Sequence, residues 1–200
     1  MNYLAHLHIA EHTHTSLLGN FLGDFVKGNP DEKFNHKIVQ GIRLHRFVDS
    51  YTDQHPLVKT SKLLFEKEIR RFSPIALDMF WDHCLAKHWH RFHDCSLEVF
   101  SQQAQRIVTD ECKNSLHALP ARFEKTSQLV WQGRWFEHYV DIKNIEFALQ
   151  RIATRSPRMA PLASIFTTLE VNYQTLTGTF FELYPDVLEA TLKAKEKETD

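Results

Sequence analysis

Apolar residues recur every three or four positions over most of the 200-residue chain, and strictly alternating runs are nearly absent. That periodicity predicts a helix over 59–72, with Leu63, Leu64, Ile69 and Phe72 on one side and Lys and Arg opposite. It predicts another over 74–93, where Leu77, Phe80, Trp81, Cys84, Leu85 and Trp89 take the spacings of a buried helix. Ser73 and Pro74 read as a serine cap followed by proline at the first helical position. Helices follow at 96–109, opening at Ser96, at 120–131, and at 141–154, which Asp141 can cap. A helix also begins near Ile38 and gives way at Pro56, and residues 17–31 read as a glycine-weakened helix ending at Gly28-Asn29-Pro30. A last helix is expected from near Asp186. The pattern describes an all-α, single-domain helical bundle over residues 1–192, with a charged tail at 193–200 fraying into solvent.

Composition narrows the function classes. The formal net charge is −1, so no global basic field argues for nucleic acid or an anionic membrane as partner. Cys84, Cys95 and Cys112 are odd in number and lack a CxxC spacing. They point away from a disulfide framework or a zinc knuckle and toward a reducing compartment. No apolar run reaches the ~18 residues of a membrane span. The N-terminal stretch lacks a basic leader followed by an unbroken apolar run, so a cytoplasmic protein is expected. Oligomeric state is left open.

Two stretches carry candidate chemistry. In HRFVDSYTDQHP, His45 and Asp49 are four residues apart and share a helix face. Such a pair is either ordinary helix surface or part of a metal site or proton relay. In DMFWDHCLAKHW, Asp78 and Asp82 are likewise one turn apart, on a helix whose neighbours indicate burial, and His83 follows directly. Buried carboxylates repel unless a cation or a proton separates them, and a divalent metal with a neutral imidazole meets that need. Pairing with Lys87 or Arg91 is the plainer alternative. Asp24, between Gly23 and Phe25, is a third acid in apolar surroundings, where a turn or cap role competes. His6 and His8 are two residues apart and point opposite ways on a helix, so at most one faces any given site. No Walker loop, GxSxG, HExxH or GxGxxG is present.

The chain resembles the acyl carrier protein phosphodiesterase family in MNYLAHLHIA, SLLGNFLGDFVKG, GIRLHRFVDSYTDQHP and DMFWDHCLAKHW. These fall in order over roughly the first ninety residues. The resemblance implies a fold related to the HD phosphohydrolases, although the adjacent pair here is Asp82-His83, the reverse of the HD order. It implies removal of the 4′-phosphopantetheine arm from holo acyl carrier protein, and a divalent metal, Mn²⁺ foremost with Mg²⁺ as an alternative. With that activity in view, Asp24, Asp78, Asp82 and His83 are expected at the metal or in its immediate shell. His45 and Asp49 would complete the site as ligands or as an acid–base pair, His45 protonating the leaving serine. Arg46 and Lys27 are expected to contact phosphate oxygens. Arg43, Lys59, Lys62, Arg70 and Arg71 form a candidate docking patch for the acidic carrier. Competing readings are a metal phosphohydrolase of a nucleotide or other small phosphoester, and a non-catalytic carrier-binding module.

Overall fold

The computed structural model describes residues 1–115 and 118–199, the last four without side chains. The fold is all-α, and no strand occurs among the described residues. The helices are α1 (Tyr3–His12), α2 (Leu17–Leu22), α3 (His36–Gln54), α4 (Pro56–Lys62), α5 (Ser73–Lys87) and α6 (Leu97–Lys113). Then come α7 (Ala121–Gln132), α8 (Trp135–His138), α9 (Ile142–Ala153), α10 (Phe166–Val171) and α11 (Tyr173–Thr199). Among the described residues, no helix is long and apolar enough to cross a membrane.

Helix α1 is the axis of the bundle. Every residue from Leu4 to Ala10 is buried, His6 and His8 included, with α2, α3, α5 and α11 packed around it. Short polar side chains set the entries of several other helices by accepting an otherwise unpaired backbone N–H. Ser16 Oγ accepts from Gly19 N at 2.8 Å, Asn35 Oδ1 from Ile38 N at 3.1 Å and Asp141 Oδ1 from Lys143 N at 2.9 Å. Helices α2 and α3 cross where both backbones are bare. A Cβ on Gly19 would lie 2.4 Å from the Ile38 carbonyl oxygen, and one on Gly41 would lie 2.8 Å from the Gly19 Cα. Only glycines allow this approach, and it brings the end of α2 against the His45 face of α3.

The expected elements at 96–109, 120–131 and 141–154 correspond to α6, α7 and α9, and Ser96 and Asp141 cap as the pattern indicates. Other boundaries differ. The 59–72 segment is not one helix: α4 stops at Lys62, and a 3₁₀ turn occupies Arg70–Phe72. Leu63 is 64% exposed, so the apolar side expected of that segment is partly turned outward. The 3₁₀ turn runs straight into α5, making Ser73 a helical residue rather than a cap. Helix α5 ends at Lys87, before a 3₁₀ turn at Trp89–Arg91. Helix α2 ends at Leu22, well short of Gly28. The last helix starts at Tyr173 instead of near Asp186, carries Pro185 inside it and continues through the tail to Thr199. Lys195 anchors it by donating to the Thr13 carbonyl, while Asp200 and the side chains of 196–199 lie outside the described residues.

Candidate metal centre

Three segments converge on one spot. Helix α1 brings His6, α3 brings His45 and Asp49 from successive turns, and the turn after α2 brings Asp24. His6 Nε2 lies 3.2 Å from Asp49 Oδ1, and His45 Nε2 lies 3.1 Å from Asp49 Oδ2 and 3.5 Å from Asp24 Oδ1. The two imidazoles are buried and stacked, with ring centroids 3.7 Å apart and planes 21° from parallel. Asp49 and Asp24 keep 40% and 52% of their side-chain surface exposed, so the carboxylates open the site to solvent. Gly23 makes room for the cluster: a Cβ there would meet the His45 ring at 2.1 Å.

The electrostatics follow from this layout. Burial pushes His6 down to about 4, helped by the neighbouring His45 charge and only partly opposed by Asp49. Burial also works to lower His45, but Asp24 and Asp49 outweigh it and hold the ring up at about 9. Burial favours the neutral form of Asp49 and of Asp24. His45 outweighs it at both, with His6 assisting, and both carboxyls titrate below their ordinary value. A proton on His45 is therefore held between two carboxylates, an arrangement that would equally hold a metal cation.

The donor set fits a divalent metal. One donor atom each from His6, His45 and Asp49 can be chosen within 4.8 Å of one another. His6 Nδ1 and both His45 ring nitrogens are buried without a hydrogen bond of acceptable geometry. Of these, His45 Nε2 faces both Asp24 and Asp49, as a ring nitrogen does in a histidine–carboxylate metal site.

The other expected ligands have different partners. Asp82 is fully buried, and its oxygens accept from the backbone N–H groups of Leu4 and Ala5, at 2.8 and 3.1 Å. A carboxylate from α5 thus caps the first turn of α1, while burial keeps that carboxyl up at about 7 despite the two amides. Asp78 Oδ1 accepts from the Met1 α-ammonium at 2.8 Å, and the same ammonium stands 3.7 Å from Asp49 Oδ1. Asp78 is thus one charge removed from the cluster. His83 points elsewhere: Nδ1 is 2.7 Å from the Tyr139 carbonyl oxygen and Nε2 2.8 Å from the Tyr173 hydroxyl, which leaves neither nitrogen for a metal. His6 replaces it. Its expected weakness came from the ambiguity with His8, and the structure resolves that by sending His8 to Tyr184 and the Phe92 carbonyl.

Of the expected substrate contacts, Arg46 is adjacent to the cluster, its Nη2 donating to the Val26 carbonyl at 2.7 Å and bracing the segment that follows Asp24. Lys27 is exposed on that segment. Arg43 is not at the cluster. Two residues from His45, it falls on the far side of α3, where it pairs with both oxygens of Asp31 at 2.8 Å. Arg70 donates to the Phe65 carbonyl at 3.1 Å, and the Arg71 guanidinium lies 4.6 Å from the Phe72 ring centroid.

Known proteins agree with the family resemblance. The sequence profile described as acyl carrier protein phosphodiesterase matches residues 1–187. A protein of that name from Serratia proteamaculans (strain 568) is 42% identical over 199 residues, spanning 99% of this chain and 100% of its own. Its namesake from Yersinia pestis is 43% identical over 189 residues, with 94% and 96% covered. One from Escherichia coli O6:K15:H31 is 38% identical over 190 residues, with the same shares. No solved structure matches. A profile match over nearly the whole chain and relatives aligned end to end show that this protein belongs to the acyl carrier protein phosphodiesterase family.

Proposed function

We propose that the protein hydrolyses the phosphodiester joining 4′-phosphopantetheine to the serine of holo acyl carrier protein, leaving the apo carrier. The observation that carries the reading is the convergence of His6, His45, Asp49 and Asp24, with buried ring nitrogens unpaired and carboxylates open to solvent. His6, His45 and Asp49 would hold a divalent cation. Mn²⁺ is the ion the resemblance implies, and Mg²⁺ is the alternative. Bound there, such a cation supplies positive charge against the phosphoryl oxygens and acidifies a neighbouring water.

The chain's own groups do the rest. His6, held neutral by burial, offers a nitrogen lone pair without first losing a proton. His45, expected as proton donor, moves to the ligand set: a cation between the two carboxylates would take the place of the proton they hold on its ring. Asp24, the most exposed group of the cluster, accepts a hydrogen bond from the attacking water and orients it. Arg46 fixes the segment after Asp24, and Lys27 on it meets phosphate oxygens.

The carrier docks on the segment from α4 to the start of α5. Lys59, Lys62, Lys67, Arg70 and Arg71 outnumber Glu66 and Glu68 there, and exposed Leu63 supplies an apolar contact amid the charge. An acidic partner suits that surface.

The test is mass spectrometry of holo acyl carrier protein incubated with the protein and Mn²⁺, beside samples with EDTA and with His45→Ala. Loss of the arm mass only in the first sample supports the reading. A carrier that stays holo under full metal loading overturns it.

A further inference from the structure

Beside Asp24 the surface opens into a cleft of about 270 Å³ between the segment after α2 and the chain leading into α7. Phe25, Val26, Phe34, Leu119 and Pro120 give it an apolar floor and walls, and Lys27, Glu32 and Lys33 stand among its lining residues. Its inner wall is fixed. The Phe25 ring stacks on Tyr3 at 6.3 Å and meets Phe123 edge-on at 5.5 Å. The Arg122 guanidinium covers it from 5.7 Å. Val26 is held by the Arg46 bond, so the helix that carries His45 and Asp49 also anchors the cleft floor.

We infer that this cleft seats the pantetheine arm of the substrate, with the phosphodiester at the Asp24–His45 cluster and the arm running outward over Phe25 and Val26. The inference rests on the carrier phosphodiesterase reading above and adds where the arm binds. Three features support it. Continuity is the first: Asp24 and Arg122 both act electrostatically on Tyr3, the ring on which Phe25 of the cleft stacks, so a chain leaving the phosphate on that side meets the cleft at once. Chemistry is the second. One methylene beyond the ester oxygen the arm carries a carbon bearing two methyl groups, and apolar surface is needed there before any polar contact. Farther out come two amides, and Glu32 in the lining can accept an amide N–H. Charge is the third. Among the described residues no carboxylate pairs with Lys27, Lys33 or Arg122, so three cations around the cleft are left for an anionic ligand. The phosphoryl group answers to that.

The basic cavity on the opposite side of α3, lined by Arg43 and Lys193, does not compete for the arm. It is on the wrong face of the helix to receive a chain leaving His45.

The experiment compares two probes on the Mn²⁺-loaded protein by calorimetry: free 4′-phosphopantetheine and inorganic phosphate. Leu119→Glu, which puts a charge on the apolar wall, is expected to weaken phosphopantetheine binding about tenfold or more, about 1.4 kcal/mol per factor of ten. Phosphate affinity should change less than about twofold. Glu32→Ala, an exposed substitution that removes the acceptor offered to the arm's amides and leaves the core untouched, keeps the test decisive if Leu119→Glu folds poorly, and it should weaken the same probe. Phosphopantetheine affinity indifferent to both substitutions, or equal losses for both probes, overturns the arm site while wild-type cleavage of holo carrier leaves the function standing. Failure of the wild type to release the arm removes both.

Discussion

His6 and His45 lie face to face, their ring centroids 3.7 Å apart, one from the buried axis of the bundle and one from the longest of the early helices. Two charged imidazoles would not stay so close. The pair is stable because the rings titrate far apart: burial keeps His6 neutral, while Asp24 and Asp49 keep the proton on His45. Both rings then point a nitrogen at Asp49, and the three groups form a single donor set.

His6 is therefore expected to be as important to metal binding as His45. His6→Ala should lower Mn²⁺ affinity by about tenfold or more, in the range seen when a metal site loses a supporting group. Titration of free Mn²⁺ by electron paramagnetic resonance reads this directly. Undiminished affinity would remove His6 from the ligand set and return it to core packing.

Gly23 tests the same site from the other side. It adopts an ordinary right-handed backbone conformation, so alanine there should by backbone entropy alone be neutral or stabilising by about 0.5–1 kcal/mol. The added methyl would instead meet the His45 ring at 2.1 Å and must displace it. Gly23→Ala should keep the helical circular dichroism of the wild type and lose most of its phosphodiesterase activity. Full activity would mean that the ring has slack the geometry does not suggest.

Much of this architecture could be read from the sequence, and the failures have physical causes. Amphipathic stripes place α6, α7 and α9, because each shows one face to water. Helix α1 has no such stripe: it is buried all round, and nothing local separates His6 from His8. Their roles are set by contacts 43 and 176 residues away. Asp82 shows a subtler failure. A buried carboxylate does demand a partner, but the partner is the bare first turn of another helix, and backbone N–H groups leave no mark in a sequence. The last helix, expected from near Asp186, instead begins at Tyr173 and runs through Pro185, held by the packing of Phe180, Leu183, Tyr184 and Val187.

Asp82 should accordingly behave as a stability residue that positions His6 through α1. Asp82→Ala strands two buried amides and is expected to cost about 3 kcal/mol, since a buried donor left without a partner costs ~1–3 kcal/mol. Urea unfolding gives the number. A loss below about 1 kcal/mol would mean that water or another group readily replaces the carboxylate.

Docking by charge makes a salt-dependent prediction. Arg70 and Arg71 touch only their own neighbourhood, so reversing both charges should leave the fold intact. Arg70→Glu with Arg71→Glu should raise KM for holo carrier at low salt by several-fold. The difference should shrink as ionic strength shortens the screening length to about 8 Å. An unchanged KM at low salt would sink this surface as the docking site.

His83 supplies the pH test. The Tyr139 carbonyl can only accept, so Nδ1 carries the proton, and Nε2 accepts from the Tyr173 hydroxyl, to which Lys87 donates at 2.9 Å. Burial holds this neutral ring down at about 4, against 6.5 for an unburied histidine. Between those values the unfolded chain binds a proton that the folded protein refuses, so the contribution of His83 is whole above 6.5 and shrinks as pH falls toward 4. One ring accounts for a slope approaching ~1.4 kcal/mol per pH unit. Urea midpoints measured from about pH 7 down to about pH 5 should therefore fall more steeply for the wild type than for His83→Gln, which has nothing to titrate. Parallel curves would place the acid sensitivity in another residue and leave His83 a purely steric member of the core.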